Sequence, residues 1–169
     1  TLNPIYLQAL SFQDVYGPND DCIHAAADMA SELGIAGIDI EDRLLKSYEP
    51  NYLQELAHQI EARGIRIGYC GLIVDFNAPI SSIPDELNRA KVLLNAIPYL
   101  GVESIRIPGN GVVGKQSTEG TFNAVRNKFQ QVLDHAEGSG VTVYLHNHNH
   151  GSVPSTGEQV LRLVNELDN

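Results

Sequence analysis

The chain has few basic residues. Its 169 residues include 11 Lys and Arg against 21 Asp and Glu, which gives a formal net charge of −10. Nucleic-acid-binding proteins need clustered Lys and Arg to displace counterions from phosphates, and here the basic residues are scattered along the sequence. We therefore expect no nucleic-acid partner, and we attribute the acidic balance mainly to solubility.

Long apolar runs and cysteines are also scarce. No run approaches the ~18 apolar residues of a membrane span, so we expect no membrane partner. Cys22 and Cys70 are the only cysteines, too few for a disulfide scaffold and without the spacing of a zinc motif. They fit a reducing compartment, and we expect a cytoplasmic protein. The sequence begins at Thr1 without a charged-then-apolar leader, which says little about localisation because Thr1 is not an initiator Met.

What the chain does contain is enough apolar residues for a folded core. Hydrophobic residues make up 43% of the sequence and charged residues 19%, values typical of a globular domain. The length is that of about one average domain. We therefore predict a single domain over residues 1–169.

A short glycine-containing motif recurs along the sequence. It occurs as Leu33-Gly34-Ile35, Arg63-Gly64-Ile65, Leu100-Gly101-Val102 and Ser139-Gly140-Val141. Each glycine ends a helical pattern, where a left-handed residue is common, and precedes a β-rich run. With a first run that opens the chain, the predicted strands are Ile5–Leu10, Ile35–Ile40, Ile65–Tyr69, Ser104–Ile107 and Val141–Leu145.

The segments between these runs have helical periodicity. Apolar residues recur every three or four positions in five segments, which begin near Asn19, Pro50, Pro84, Phe122 and Thr156. Pro98 is expected to end or bend the third helix. A capping box, from Thr156 to Gln159 or from Ser155 to Glu158, starts the fifth.

The order is therefore strand then helix, repeated five times. This alternation predicts a parallel sheet with right-handed crossovers, and both a doubly wound open sheet and a (β/α)8 barrel fit it. No Gly-x-Gly-x-x-Gly follows the first strand, which weakens a dinucleotide-binding interpretation. A barrel needs eight units and about 250 residues, so in a barrel this chain would supply the first five units, with open edges at its first and fifth strands.

Parallel α/β proteins place their sites beyond the carboxyl ends of the strands, and the fifth predicted strand is followed by His146-Asn147-His148-Asn149-His150-Gly151. Residues two apart share a face of a strand, so His146 and His148 point to one side if the strand continues that far. Neutral imidazoles suit a divalent transition metal. The alternative is a polar loop whose histidines meet solvent or cap the next helix.

Two other strands carry candidate residues. Glu41 follows the second strand, where a carboxylate can bind a sugar hydroxyl, bind metal or move protons, or simply form an ion pair with Arg43. Arg106 lies among β-branched residues of the fourth strand and needs an anionic partner or a ligand. Asn110 follows in the glycine-rich turn after that strand. The remaining histidines, His24, His58 and His135, sit singly in helical segments, where packing or solvated roles are expected.

The ordered set of motifs resembles the sugar phosphate isomerase/epimerase family, the xylose-isomerase-like TIM barrels. The phrases that carry the resemblance are LGIAGIDIED, ARGIRIGYCGLIVDF, LGVESIRIPGN, GSGVTVYLHNHNHG and STGEQVLRLVNELDN. The resemblance covers essentially the whole chain but only the first five-eighths of a family barrel. It implies a (β/α)8 barrel of the xylose-isomerase-like type, with its later strands absent from this sequence.

The resemblance also implies chemistry. Such enzymes generally hold one divalent cation, here Mn, Mg, Co or Zn, and isomerise, epimerise or dehydrate a sugar or polyol, phosphorylated or not, through an enediolate. The family places a metal-binding Glu in a Glu-Asn-His phrase after the fifth strand, where this chain has His146-Asn147-His148. We therefore expect His146 and His148 as metal ligands, Glu41 and His148 as catalytic residues, and Arg106, Asn110 and Asn147 as substrate-binding residues.

Two other functions remain open. The replacement of the Glu by His146 fits a non-catalytic sugar-binding or regulatory barrel that has lost its proton shuttle, because an imidazole seldom serves as ligand and base at once. The endonuclease branch of the family is less favoured, since it uses a His-Pro-Gly phrase at the fourth strand and this chain has Ile107-Pro108-Gly109. A homo-oligomer is compatible with the sequence.

Overall fold

The structure, a computed structural model, describes residues 4–76, 86–109, 118–148 and 151–167. Its strands are β1 (Tyr6–Gln8), β2 (Gly37–Glu41), β3 (Arg66–Gly71), β4 (Ser104–Ile107) and β5 (Thr142–Leu145). They form one five-stranded parallel sheet in the order β1-β2-β3-β4-β5. The predicted strand–helix alternation is thereby confirmed, and the sheet order follows the chain order as the first part of a barrel requires.

The helices alternate with the strands. The predicted ones are α2 (Asp21–Leu33), α3 (Pro50–Glu61), α4 (Glu86–Ala96), α5 (Glu119–Ala136) and α6 (Gly157–Glu166). A one-turn helix, α1 (Gln13–Tyr16), follows a 3₁₀ turn at Ala9–Phe12, so the predicted first strand is shorter than expected and its last two residues already belong to that turn. Among the described residues, no helix is both long and apolar enough to cross a membrane.

Local sequence signals place the helix ends. Gly34, after α2, and Gly101, after the 3₁₀ turn Ile97–Leu100, adopt φ of 66° and 69°, a region that Gly enters without the penalty of a Cβ. Pro98 ends α4 as predicted, because a 3₁₀ turn replaces the helix from Ile97 onward. Thr156 accepts a hydrogen bond from the Gln159 amide at 3.2 Å and caps α6, the first of the two expected capping arrangements.

The chain folds into two compact units. The first comprises the described residues of Thr1–Gly71 and Asn95–Ile105. Its core lies between the sheet and the helices, where α2 contacts β2 and α3 contacts β3. Its fully buried residues include Ile23 of α2, Leu53 and Ile60 of α3, and Ile38 and Ile40 of β2.

The second unit comprises the described residues of Leu72–Leu94 and Arg106–Asn169. Phe76 and Phe129 form an edge-to-face pair in its core, with ring centroids 5.5 Å apart. Only Leu163 of α6 is fully buried, and α6 also contacts α5 through ion pairs. Arg162 binds Glu119 of α5 at 2.6 Å and stacks on Phe122 at 3.9 Å, while Arg126 of α5 binds Glu166 at 2.7 Å.

A β-bulge interrupts the pairing of β2 with β3. Ile38 pairs with Ile67, but Ile40 pairs with Cys70, so Gly68 and Tyr69 both lie opposite Asp39. Bulges of this kind insert one residue and re-aim the side chains that follow, and they are frequent beside active sites. This one lies just before the carboxyl end of β2.

Candidate functional site

Glu41 is the last residue of β2 and lies in the first unit. Its side chain is buried, with 4% of the residue exposed, and Oε2 lies 2.9 Å from Nε of Arg43. Arg43 is about half exposed, so solvent screens this ion pair and it adds little to stability. The geometry holds a carboxylate at a strand end, where it can accept hydrogen bonds from ligand hydroxyls.

The loop after Glu41 is fastened by buried carboxylates. Tyr48 donates to Asp42 at 2.8 Å, and the 3₁₀ turn Asp42–Leu44 continues the chain from β2. Tyr52 donates to Asp20 at 3.2 Å, and Lys46 Nζ lies 2.8 Å from the other oxygen of that carboxylate. The loop therefore has a defined shape without any ligand.

Asp20, which helps to hold the loop after Glu41, lies at an unusual position for that role. It is the N-cap residue of α2 but makes no side-chain capping hydrogen bond, whereas an N-cap Asp ordinarily accepts from its own helix. Its carboxylate, 6% exposed, instead binds Tyr52 and Lys46. Burial raises the pKa of Tyr52 to about 12, and the hydrogen bond with Asp20 raises the pKa of Lys46.

A second polar group of the first unit was missed by sequence reasoning. Tyr69 donates its bulged backbone N–H to Asp39 Oδ1 at 3.2 Å, and its hydroxyl accepts a hydrogen bond from Gln8 at 3.1 Å. Gln8, Asp39 and Tyr69 come from β1, β2 and β3 and lie within the sheet. Asp39 precedes Glu41 by two residues. An Asp inside an apolar strand was the available signal, since buried carboxylates require partners.

The histidines follow β5 in the second unit. The strand ends at Leu145, so the strand geometry that was to bring His146 and His148 to one face does not continue through them. Backbone hydrogen bonds hold them instead: the His146 amide donates to Ile107 O at 2.9 Å and the His148 amide to Pro154 O at 3.0 Å. The two rings nevertheless meet edge to face, with centroids 5.3 Å apart and planes at 86°.

His146 remains neutral at physiological pH. Burial, together with the positive charge of Arg106 and the neighbouring His148, lowers its pKa to about 4. Its Nδ1 atom is buried and has no hydrogen-bond partner among the residues that the structure describes. A buried, neutral imidazole nitrogen without a donor is suited to binding a metal ion.

Some of the remaining predicted residues lie in the described part of the chain, and others lie outside it. Arg106 is half-buried in β4 and acts electrostatically on His146, and Asn147 is exposed between the two histidines. Asn110, Asn149 and His150 lie outside the described residues. The lone histidines His24, His58 and His135 lie in α2, α3 and α5 as predicted.

The donor set fits a divalent cation only as a half-site. Two imidazoles can supply two nitrogen ligands, and the orphaned His146 nitrogen is compatible with an ion. Within residues 4–76, 86–109, 118–148 and 151–167, however, no three His, Cys, Asp or Glu side chains are grouped so that they could hold a metal together. Zinc and manganese sites ordinarily use three or more protein ligands.

Several solved structures share this fold. A D-allulose 3-epimerase from Methylomonas sp. matches with a TM-score of 0.74 and 16% identity over 97% of this chain and 59% of its own. The probable 3-DHS dehydratase AsbF from Bacillus anthracis matches with a TM-score of 0.71 and 16% identity over 99% of this chain and 60% of its own.

A third structure, a xylose isomerase-like TIM barrel protein from Mycobacterium smegmatis in complex with magnesium, matches with a TM-score of 0.74 and 14% identity over 96% of this chain and 60% of its own. The chain thus spans little more than half the length of these proteins. No curated protein matches its sequence significantly.

The family comparison agrees with the parallel sheet, the strand order and the resemblance seen in the sequence. The profile of the xylose isomerase-like TIM barrel family matches residues 27–169, so the chain belongs to that family.

Proposed function

We propose that the chain takes part in the metal-dependent isomerisation, epimerisation or dehydration of a sugar or polyol. The observation that carries the proposal is the contact of His146 and His148 directly after β5, with His146 neutral and its buried Nδ1 without a partner among the described residues. The structural neighbours, which include sugar epimerases and a dehydratase, support this general class of reaction.

His146 and His148 would hold the cation, together with ligands from outside the described residues. When bound, such a cation polarises a sugar carbonyl and offsets the negative charge that develops when a neighbouring proton is removed. Keeping His146 neutral is the contribution of its own surroundings, because a protonated imidazole cannot ligate. Burial and Arg106 both favour that state.

The protein's other residues have separate tasks in this proposal. Glu41, buried at the end of β2, accepts a hydrogen bond from a substrate hydroxyl or takes a proton from the carbon beside the carbonyl. Arg106 supplies positive charge for the substrate's oxygens, and the exposed amide of Asn147 offers both a donor and an acceptor. His148 lies close enough to His146 to share the ion or to exchange a proton.

Exchange of solvent deuterium into a ketose tests the chemistry. The full chain is incubated in D₂O with Mn²⁺ and either D-allulose or D-tagatose, sugars bound in neighbouring structures, and the products are followed by NMR. Incorporation beside the carbonyl supports the proposal. Sugar binding without exchange favours a non-catalytic sugar-binding barrel, and no binding of either sugar by titration calorimetry contradicts the substrate class.

Matched variants test the residue roles. The His146→Ala, His148→Ala double variant should lose metal at least about tenfold, the scale of lost ligands or their supports, whereas a His58→Ala variant, altered on the exposed surface of α3, should retain it. Glu41→Gln keeps the shape of the side chain and should lower exchange while leaving metal content unchanged. Undiminished metal content in the double variant would overturn the assignment of the ligands.

A further inference from the structure

We propose that a groove along α2 of the first unit docks a basic amphipathic helix of a protein partner. The groove encloses about 410 Å³ between α2 and the segment of Phe12 and Tyr16. None of its lining residues is one of the candidate site residues, so the inference does not depend on the proposed function.

The shape of the groove suits a helix. Its floor follows one stripe of α2, with Asp21, Ala25, Asp28 and Glu32 repeating every three or four residues. This stripe extends over three turns, or about 16 Å at 1.5 Å per residue. Ala25 leaves a depression at its middle, and a ridge of side chains on an approaching helix fits such a depression.

The groove offers apolar contacts that nothing in the described residues fully covers. Tyr16 is 47% exposed and Met29 40% exposed, and Val15 beside them is 77% exposed. Phe12 and Tyr16 form a tilted ring pair with centroids 6.3 Å apart. Single exposed apolar residues are ordinary on a surface, but aromatic and Met side chains gathered in one groove mark binding surfaces.

The charge around the groove is predominantly negative. The first 33 residues contain no Lys or Arg, and their carboxylates are at Asp14, Asp20, Asp21, Asp28 and Glu32. Arg63 pairs with Asp28 at 2.5 Å, whereas Asp21 and Glu32, at opposite ends of the stripe, form no ion pair within the described part of the chain. The two ends of the groove therefore favour a positively charged partner.

His24 also lines the groove from α2, and its side chain is half-buried. Its Nδ1 is buried, so a partner helix packs against the exposed part of the ring rather than bonding to that nitrogen. Together these features select a helix with an aliphatic ridge flanked by Lys or Arg, the helix-in-groove mode of recognition.

Binding of a designed peptide tests the proposal directly. The probe is a fluorescein-labelled amphipathic helix of Leu and Lys, about 18 residues long so that it is helical when bound, and its counterpart replaces every Lys with Glu. Fluorescence anisotropy with the full chain should show saturable binding of the Lys peptide and at least tenfold weaker binding of the Glu peptide. Equal affinity for both peptides would contradict the charge argument.

Variants then locate the binding site. Tyr16→Ser with Met29→Ser should weaken binding of the Lys peptide about tenfold, as expected for central apolar contacts, and Asp21→Asn with Glu32→Gln should weaken it severalfold. The matched control is Asp134→Asn with Glu137→Gln in the acidic groove beside α5 of the second unit, which should leave binding unchanged. Equal losses in the control and the groove variants would overturn the proposal.

Sedimentation velocity distinguishes the partner from a second copy of this chain. A concentration-independent sedimentation coefficient that the Tyr16→Ser, Met29→Ser variant leaves unchanged supports a separate partner. Self-association that this variant abolishes would overturn it in favour of a dimer.

Discussion

The polar groups after β2 and after β5 are organised in opposite ways. After β2, carboxylates are held from within the chain: Asp42 by Tyr48 and Asp20 by Tyr52 and Lys46. After β5, His146 and His148 contact each other beside the positive charge of Arg106, and a buried nitrogen of His146 has no partner among the described residues.

The difference indicates where a ligand contributes most. The loop after β2 already has its hydrogen bonds, so binding there would add contacts to a preformed surface. At the histidines, a buried nitrogen without a hydrogen bond costs free energy. Among the described residues no group binds to it, so a group from elsewhere would offset that cost. We therefore expect changes after β2 to act mainly on folding, and changes after β5 to act on ligand binding and pH dependence.

The largest expected effect is at Asp20. Replacement by Ala removes the acceptor of the Tyr52 hydroxyl and should lower the free energy of unfolding by about 2 kcal/mol, the scale of a hydrogen bond to a buried charged group. Lys46 adds little, because its side chain is 64% exposed. The measurement is urea denaturation.

Asp21 provides a matched control for Asp20. It is the next residue in the sequence and lies in the first turn of α2, but it is exposed. Asp21→Ala should cost only about 0.5 kcal/mol through the helix dipole. Equal losses at the two positions would show that the network after β2 does not hold the fold.

A smaller effect is expected at His146 as pH changes. Since the folded protein lowers its pKa from 6.5 to about 4, the unfolded chain binds more protons between these values. The contribution of neutral His146 to the free energy of unfolding is therefore fully present above pH 6.5 and is lost as pH falls towards 4. The full shift corresponds to roughly 3 kcal/mol, and solvent screening of this partly exposed ring reduces the expected loss to roughly 1–2 kcal/mol.

Comparison with a His146→Gln variant isolates this contribution. Urea denaturation at pH 5 and at pH 7.5, in the presence of a chelator, should show a smaller pH difference for the variant than for the wild-type chain. The other histidines are present in both proteins, so their contributions to the pH difference cancel. An unchanged pH difference would mean that the His146 environment is not the source.

The smallest of these effects concerns the cap of α6, the helix that follows the histidine loop. Thr156→Ala removes the acceptor of the Gln159 amide and should cost about 1 kcal/mol. Thr156→Ser retains the hydroxyl and should recover most of that loss in thermal unfolding. If both variants lost the same stability, the cap would not define the end of the loop.

The sequence predicts the fold better than the site. Glycines such as Gly34 and the break at Pro98 act locally, so they locate helix ends without knowledge of the tertiary structure. The network of Asp20 could not be found this way, because its partner Tyr52 lies 32 residues away and neither residue has a distinctive neighbourhood. Gln8 and Tyr69 are 61 residues apart, and their contact depends on the strand order.

The histidines show an intermediate case. Their clustering predicts that His146 and His148 lie close together, and the ring contact agrees. The reason given by the sequence pattern was strand alternation, but β5 ends at Leu145 and backbone hydrogen bonds to Ile107 and Pro154 hold the two residues. A loop conformation of this kind depends on which carbonyls are available nearby, and no periodicity encodes that.

The bulge opposite Asp39 has a consequence for how this family can change its length. Buried apolar residues occupy odd positions before it, as at Ile65, and even positions after it, as at Cys70 and Leu72. Because side chains alternate along a strand, the extra residue keeps Cys70 on the inward face although its position differs in parity from that of Ile65. Deletion of one residue at the bulge would therefore restore an uninterrupted strand with the same residues inward, whereas a single deletion elsewhere in β3 would exchange its two faces.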